Sequence, residues 1–277
     1  MSYATLMVVL QLGRSNAAPL GIASDLARRM DIPVTGIARA QPVTILMGDN
    51  FFAAELIQAD ADAIEAEAKK VETDLRIALS DQPTRLHWDM DVTHAPLSEP
   101  IVRAAMTADI IVAGLFSKDR DFASSAWRVD IEDIIEAAGR PVLAVPPGIE
   151  HFGFRHALVA WKDSQEARRA VTDALPLLRL MEKVVIVEAV EPADAPVARK
   201  DLDKMVVWLG RHGVTAVPRV DIAGGDDGMR LLALADEERA ELIVAGAYGH
   251  NRYHEWVLGG VTRTLLRESR RCLLMSR

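Results

Sequence analysis

The chain has 277 residues, half of them hydrophobic and 26% charged, a composition that excludes a disordered or fibrous class. Its 32 basic residues against 40 acidic ones give a net charge of −8, and no long basic block is available to track a phosphate backbone, which argues against a nucleic acid partner. No run approaches the roughly 18 uncharged apolar residues of a membrane helix, and the N-terminus has no basic lead-in, so the expectation is a cytoplasmic protein with no membrane partner.

At this length two domains of roughly 130 to 150 residues are favoured. In chain order, apolar runs rich in Val, Ile and Leu predict strands at TLMVVLQL (5–12), PVTGIARA (33–40), RLHWDMDV (85–92), DIIVAGL (109–115) and PVLAVPP (141–147). Helical periodicity fills the gaps. The longest such segment places Ile57, Ala61, Ile64, Ala68, Val71 and Leu75 at alternating steps of four and three, which predicts a helix packed on the sheet, with a lid or partner surface as the alternative. Phe51 and Phe52 precede it. Two prolines and two glycines in VPPGIEHFGFRH (145–156) then break all periodicity and predict a domain boundary, with domains over 1–148 and 154–277.

Beyond the boundary the order of elements repeats, with strands at HALVAW, KVVIVEAV, AVPRVDIA, ELIVAGA and CLLMSR. The match of ADIIVAGL (108–115) with AELIVAGA (240–247) fixes the repeat as a duplicated domain rather than a solenoid. Near-continuous apolar strands alternating with amphipathic helices predict two tandem doubly wound α/β domains, each a parallel sheet of roughly five strands covered on both faces. Joined by a short linker, the two are expected to pair face to face as an intramolecular pseudo-dimer.

Glycines concentrate where ELIVAGA ends: Gly246, two residues, Gly249, nine residues, Gly259, then Gly260, Val261 and Thr262 opening a helix. Glycines at the carboxyl end of a parallel strand let main-chain N–H groups approach an anion, and a helix starting there adds unpaired N–H groups and the positive end of its dipole. Neither GxGxxG after a first strand nor GxxxxGK[ST] is present. The spacing resembles the G-x2-G-x9-G-[ST] loop of universal stress proteins, and both halves, most sharply HALVAWKDSQEARRAV and GGVTRTLLRESRRCLLMS, resemble a tandem member of that family.

That resemblance implies an adenine nucleotide alpha hydrolase-like fold binding ATP, ADP or AMP, with or without Mg²⁺, as a regulatory ligand in a stress response. It implies that Gly246, Gly249 and Gly259 wrap the phosphates, with Gly260, Val261 and Thr262 completing the cradle, and that Ala160, Trp161 and Val190 border the base. Two positions depart from the family pattern. Gly260 replaces the hydroxyl residue after the third glycine, leaving Thr262 as the nearest hydroxyl, and Lys162 replaces the acid at the end of the first strand. Lysine cannot accept a hydrogen bond. Lys162 therefore meets a phosphate, gives way to Asp163, or closes the pocket by pairing with it. In the first half Ser117, Trp127 and Arg128 stand in place of three glycines, and no nucleotide is expected there.

Other chemistry has little to build on. His250 and His254, with Glu255, would share a helical face without an evident third metal ligand. No Gly-x-Ser-x-Gly elbow exists, Cys272 sits in an apolar run, and Asp226 and Asp227 read as a helix cap. No catalytic residue is assigned. The alternatives to a nucleotide-binding regulator are a ligand-free interaction module and a slow ATPase; a homodimer and a signalling partner stay open.

Overall fold

The computed structural model describes residues 2–44, 53–81, 85–116, 127–224, 226–247 and 260–277. The first half contains β1 (Leu6–Val9), α1 (Ala17–Met30), β2 (Val34–Ala40), α2 (Ala53–Ala78), β3 (Leu86–Val92), α3 (Ser98–Ala104), β4 (Ile110–Gly114), α4 (Ile131–Ala137) and β5 (Val142–Val145). The second contains β6 (His156–Ala160), α5 (Gln165–Leu178), β7 (Lys183–Val190), α6 (Ala195–Arg211), β8 (Ala216–Ile222), α7 (Asp227–Glu237), β9 (Leu242–Gly246), α8 (Gly260–Glu268) and β10 (Cys272–Ser276). Every strand expected from the apolar runs is present.

Local chemistry explains the helix starts. Ser164 accepts a hydrogen bond from the Ala167 N–H and caps α5, Asp130 accepts from Glu132 to cap α4, and Asp226 accepts from Gly228 and Met229 to cap α7. Along α5, Ala167, Ala170, Val171, Ala174, Leu175 and Leu178 recur at three- and four-residue steps and are all buried. In α2 the expected apolar stripe is buried only from Ile64 onward. Ile64, Val71 and Leu75 are buried, whereas Ile57 is 54% exposed because the first turns of α2 extend past the sheet they were expected to cover.

The ten strands form one sheet in the order β3-β2-β1-β4-β5-β10-β9-β6-β7-β8. Pairing is parallel within each half and antiparallel only between β5 and β10, where Leu273 faces Ala144, Leu274 faces Leu143 and Met275 faces Val142. The halves thus meet edge to edge, correcting the face-to-face arrangement expected from the sequence. The physical reason is that each terminal strand has an unpaired row of N–H and C=O groups, which the other satisfies. One core layer, under α1, α2, α5 and α6, and a second, under α3, α4, α7 and α8, run through both halves.

Polar contacts lock the seam. The Tyr3 hydroxyl donates to the Asp173 carbonyl at 2.6 Å, Arg169 donates to the Gly139 carbonyl at 2.7 Å, and Arg277 pairs with Glu136 at 2.6 Å. The linker lies against α1, where the Glu150 carbonyl fills the space a side chain on Gly21 would need. Cys272 is buried at the start of β10, and burial, with the Glu241 charge, pushes its thiol up to about 12, so it is a core atom rather than a nucleophile. No described helix is long and apolar enough to cross a membrane.

Candidate functional site

In the second half the strand order reverses between β6 and β9. The chain leaves β6 for α5 on one face of the sheet and leaves β9 for α8 on the other, so the two exits diverge and open a crevice at the carboxyl ends of the strands. Ala160 and Ala245 are register partners across that gap, which sets Trp161 beside Gly246 at its lip.

Trp161 is 8% exposed and its main-chain N–H donates to the Val187 carbonyl at 2.8 Å. Lys162 is exposed; its carbonyl accepts from the Ser164 N–H at 2.7 Å, turning the chain into the α5 cap. Val190 is half-buried at the end of β7, with its carbonyl accepting from the Ala223 N–H at 2.9 Å. Asp163 pairs with Arg168 at 2.5 Å rather than with Lys162. The pairing that would have closed the pocket is replaced by one that holds Asp163 against its own helix.

Gly246 has a packing reason of its own. A Cβ there would stand 2.6 Å from the Ala167 nitrogen and 2.7 Å from the Glu166 carbonyl carbon, both main-chain atoms of the first turn of α5. Gly260 differs, because a Cβ there meets nothing within 4 Å. It is the exposed first residue of α8, followed by half-buried Val261 and by Thr262, which is 6% exposed on the packed face. Since α8 lies between the parallel strands β9 and β10, it starts on the side of the sheet where β9 ends, and Gly260, Val261 and Thr262 form its first turn. Gly249, Gly259, His250, His254 and Glu255 lie outside the described residues, and among the described residues no group of His, Cys, Asp and Glu could hold a metal.

Next to Trp161 a cavity of about 600 Å³ opens between α5 and α6, lined in part by Thr172, Glu188, Met205 and Trp208. Glu188 was missed in the sequence, although it is the one acid in the run KVVIVEAV and is flanked there by apolar residues. Burial pushes its carboxyl above the ordinary range, the charges of Asp201 and Asp163 add to this, and Lys162 opposes it. Because the folded-state pKa is raised, ionising Glu188 costs the native state stability as pH rises through that value. Glu188→Gln is therefore expected to raise Tm at pH 7 by about 2 °C, with the gain vanishing near pH 4, in thermal melts at both pH values.

The first half has the equivalent crevice between β1 and β4. A Cβ on Gly114 would lie 2.8 Å from the Phe116 ring, so an aromatic side chain covers the end of β4. Trp127 is half-buried with an indole N–H that has no hydrogen-bond partner among the described residues, and Arg128 is exposed; Ser117 lies outside the described residues.

Residues 153–277 match the model of the universal stress protein family. The C-terminal half belongs to that family. Over the whole chain, the fold is shared with a universal stress protein from Archaeoglobus fulgidus DSM 4304, at TM-score 0.71 and 16% identity, covering 99% of this chain and 96% of that one. A functionally unknown protein from Pseudomonas aeruginosa PAO1 has TM-score 0.64 and 11% identity, covering 99% of this chain and 92% of that one. A universal stress protein in complex with cAMP matches 45% of this chain and 97% of its own, at 25% identity and TM-score 0.39. No curated protein sequence matches. The chain is thus a tandem of two universal-stress-type folds, the second recognised by sequence and the first by fold.

Proposed function

We propose that the domain over 154–277 binds one adenine nucleotide, ATP, ADP or AMP, as a regulatory ligand, and that the chain acts as a cytoplasmic universal stress protein whose domain over 1–148 holds no nucleotide. The observation that carries this reading is the start of α8: Gly260 opens the helix at the carboxyl-end crevice, with free space where its side chain would be. First-turn amides and the positive end of a helix dipole favour a phosphate there. Trp161 at the lip offers an aromatic edge for the base, joined by Ala160 and Val190 at the ends of the two neighbouring strands. Lys162, exposed beside the crevice and without Asp163 as a partner, suits a phosphate oxygen better than a ribose hydroxyl. Gly249 and Gly259 complete the phosphate loop in this proposal.

Native mass spectrometry of freshly purified protein tests this reading. The expected spectrum shows the chain mass plus that of one AMP, ADP or ATP. Bare chain in that spectrum, together with no calorimetric heat when ATP and Mg²⁺ are added to ligand-stripped protein, overturns it.

A further inference from the structure

The cavity beside Trp161 lies on the face of the sheet away from α8. Parallel register sets Ala160 against Val187, and the Trp161 N–H donates to the Val187 carbonyl, so the next residues on the two strands, Trp161 and Glu188, turn to the same face. Trp161 packs into the core layer under α5 and α6, together with Met205 and Trp208, whereas α8 packs into the other layer. The cavity is therefore a separate space from the crevice at the start of α8. Its volume of about 600 Å³ is within the range of small-molecule sites.

Helical spacing builds the outer wall. On α6, Asp201, Met205 and Trp208 recur at steps of four and three, which lines them up on one face. Met205 and Trp208 are half-buried, and the Trp208 ring is stacked on His212, with centroids 4.3 Å apart. Thr172 faces them from α5, but its hydroxyl already donates to the Arg168 carbonyl at 2.9 Å.

The charges around this apolar space cancel in pairs and leave one acid over. Asp163 is held by Arg168 at 2.5 Å and Asp201 by Lys204 at 2.7 Å. Glu188 makes no hydrogen bond or ion pair among the described residues. Burial, then the charges of Asp201 and Asp163, push its carboxyl above the ordinary range, and only the exposed Lys162 opposes them. Arg211, the remaining cation on the wall, stands ten residues from Asp201, about 15 Å along the axis of α6. A half-buried carboxylate with no cation of its own, in a cavity that also presents two indole rings and a thioether, suits a cation brought by a ligand.

We infer that this cavity binds a small organic cation, an amine on an apolar or aromatic body, with its ammonium at Glu188 and its body against Met205 and Trp208. The ammonium supplies the N–H donors that Glu188 lacks, and the indole faces attract the same charge. The site does not depend on the nucleotide reading, because it uses the opposite face of the sheet and calls for a ligand of the opposite charge.

Calorimetric titration of phenethylamine into the full chain tests this, beside 2-phenylethanol, which keeps the ring and replaces the ammonium by a hydroxyl. The expected result is one phenethylamine per chain, bound about ten-fold or more tighter than the alcohol. Glu188→Gln removes that preference, weakening the amine about ten-fold or more and leaving the alcohol unchanged. Since this variant is expected to melt higher than the wild type at pH 7, its loss of binding is not a loss of fold. Trp208→Ala weakens both ligands, and Gly260→Glu changes neither. No heat with phenethylamine, an alcohol that binds as tightly as the amine, or amine binding that survives Glu188→Gln overturns the proposal. Displacement of the amine by saturating ATP also overturns it, since both would then occupy the α8 crevice. A failure of the nucleotide reading is seen separately, as a chain that binds phenethylamine and gives no heat with ATP.

Discussion

Gly260→Glu is expected to weaken ATP binding by about 100-fold or more while leaving the unfolding temperature of the chain unchanged or slightly raised. The substitution is sterically free, because a Cβ at this exposed position meets nothing within 4 Å. A carboxylate in the first turn also suits the α8 dipole, worth about 0.3 to 1 kcal/mol in favour of the fold. The same negative charge placed against a triphosphate costs several kcal/mol through like-charge opposition in a partly enclosed site. Calorimetry with ATP, run beside differential scanning fluorimetry, separates the two effects. Gly260→Ala is the control, since it adds a methyl group without charge and should keep most of the affinity.

Gly246→Val is expected to act in the opposite way, lowering the stability of the chain by about 2 to 3 kcal/mol whether or not a nucleotide binds. Its Cβ would fall within 2.7 Å of main-chain atoms of Glu166 and Ala167, which cannot turn aside as a long side chain would. Relief requires α5 to move away from the end of β9, and α5 is anchored by seven buried residues. Chemical denaturation should show a lower midpoint with an unchanged slope. Loss of nucleotide binding in this variant carries no information about the phosphate site, whereas loss in Gly260→Glu does.

The contrast between these two glycines shows where the sequence is legible and where it is not. Strands such as Leu242–Gly246 and Ile110–Gly114 announce themselves as apolar runs, and their likeness reveals the duplication, because both signals are local. The pairing of Leu274 with Leu143 joins residues from opposite halves of the chain and leaves no local trace, so the edge-to-edge seam had to come from the structure. Gly246 and Gly260 look alike in a spacing pattern, but one is required by a neighbouring helix and the other faces open space. Ile57 fits the stripe of α2 and still lies exposed, since periodicity marks which face of a helix is apolar but not where the surface it covers ends. Glu188 interrupts an apolar strand, and its burial, reinforced by the charges of Asp201 and Asp163 and opposed by Lys162, gives that interruption electrostatic weight.

Arg267 and Arg270 line a cavity of the first domain, a placement with the same origin as the seam. Each arginine reads in sequence as an ordinary surface residue near a helix end. It becomes part of the wall of that cavity only because β10 pairs with β5 rather than standing at an open edge.

The most direct test is a calorimetric titration of ATP with Mg²⁺ into nucleotide-free full-length protein, repeated with Gly260→Glu. One ATP per wild-type chain, lost in the variant, is the predicted result; no heat in the wild type, or the same heat in both, contradicts a phosphate site at the start of α8.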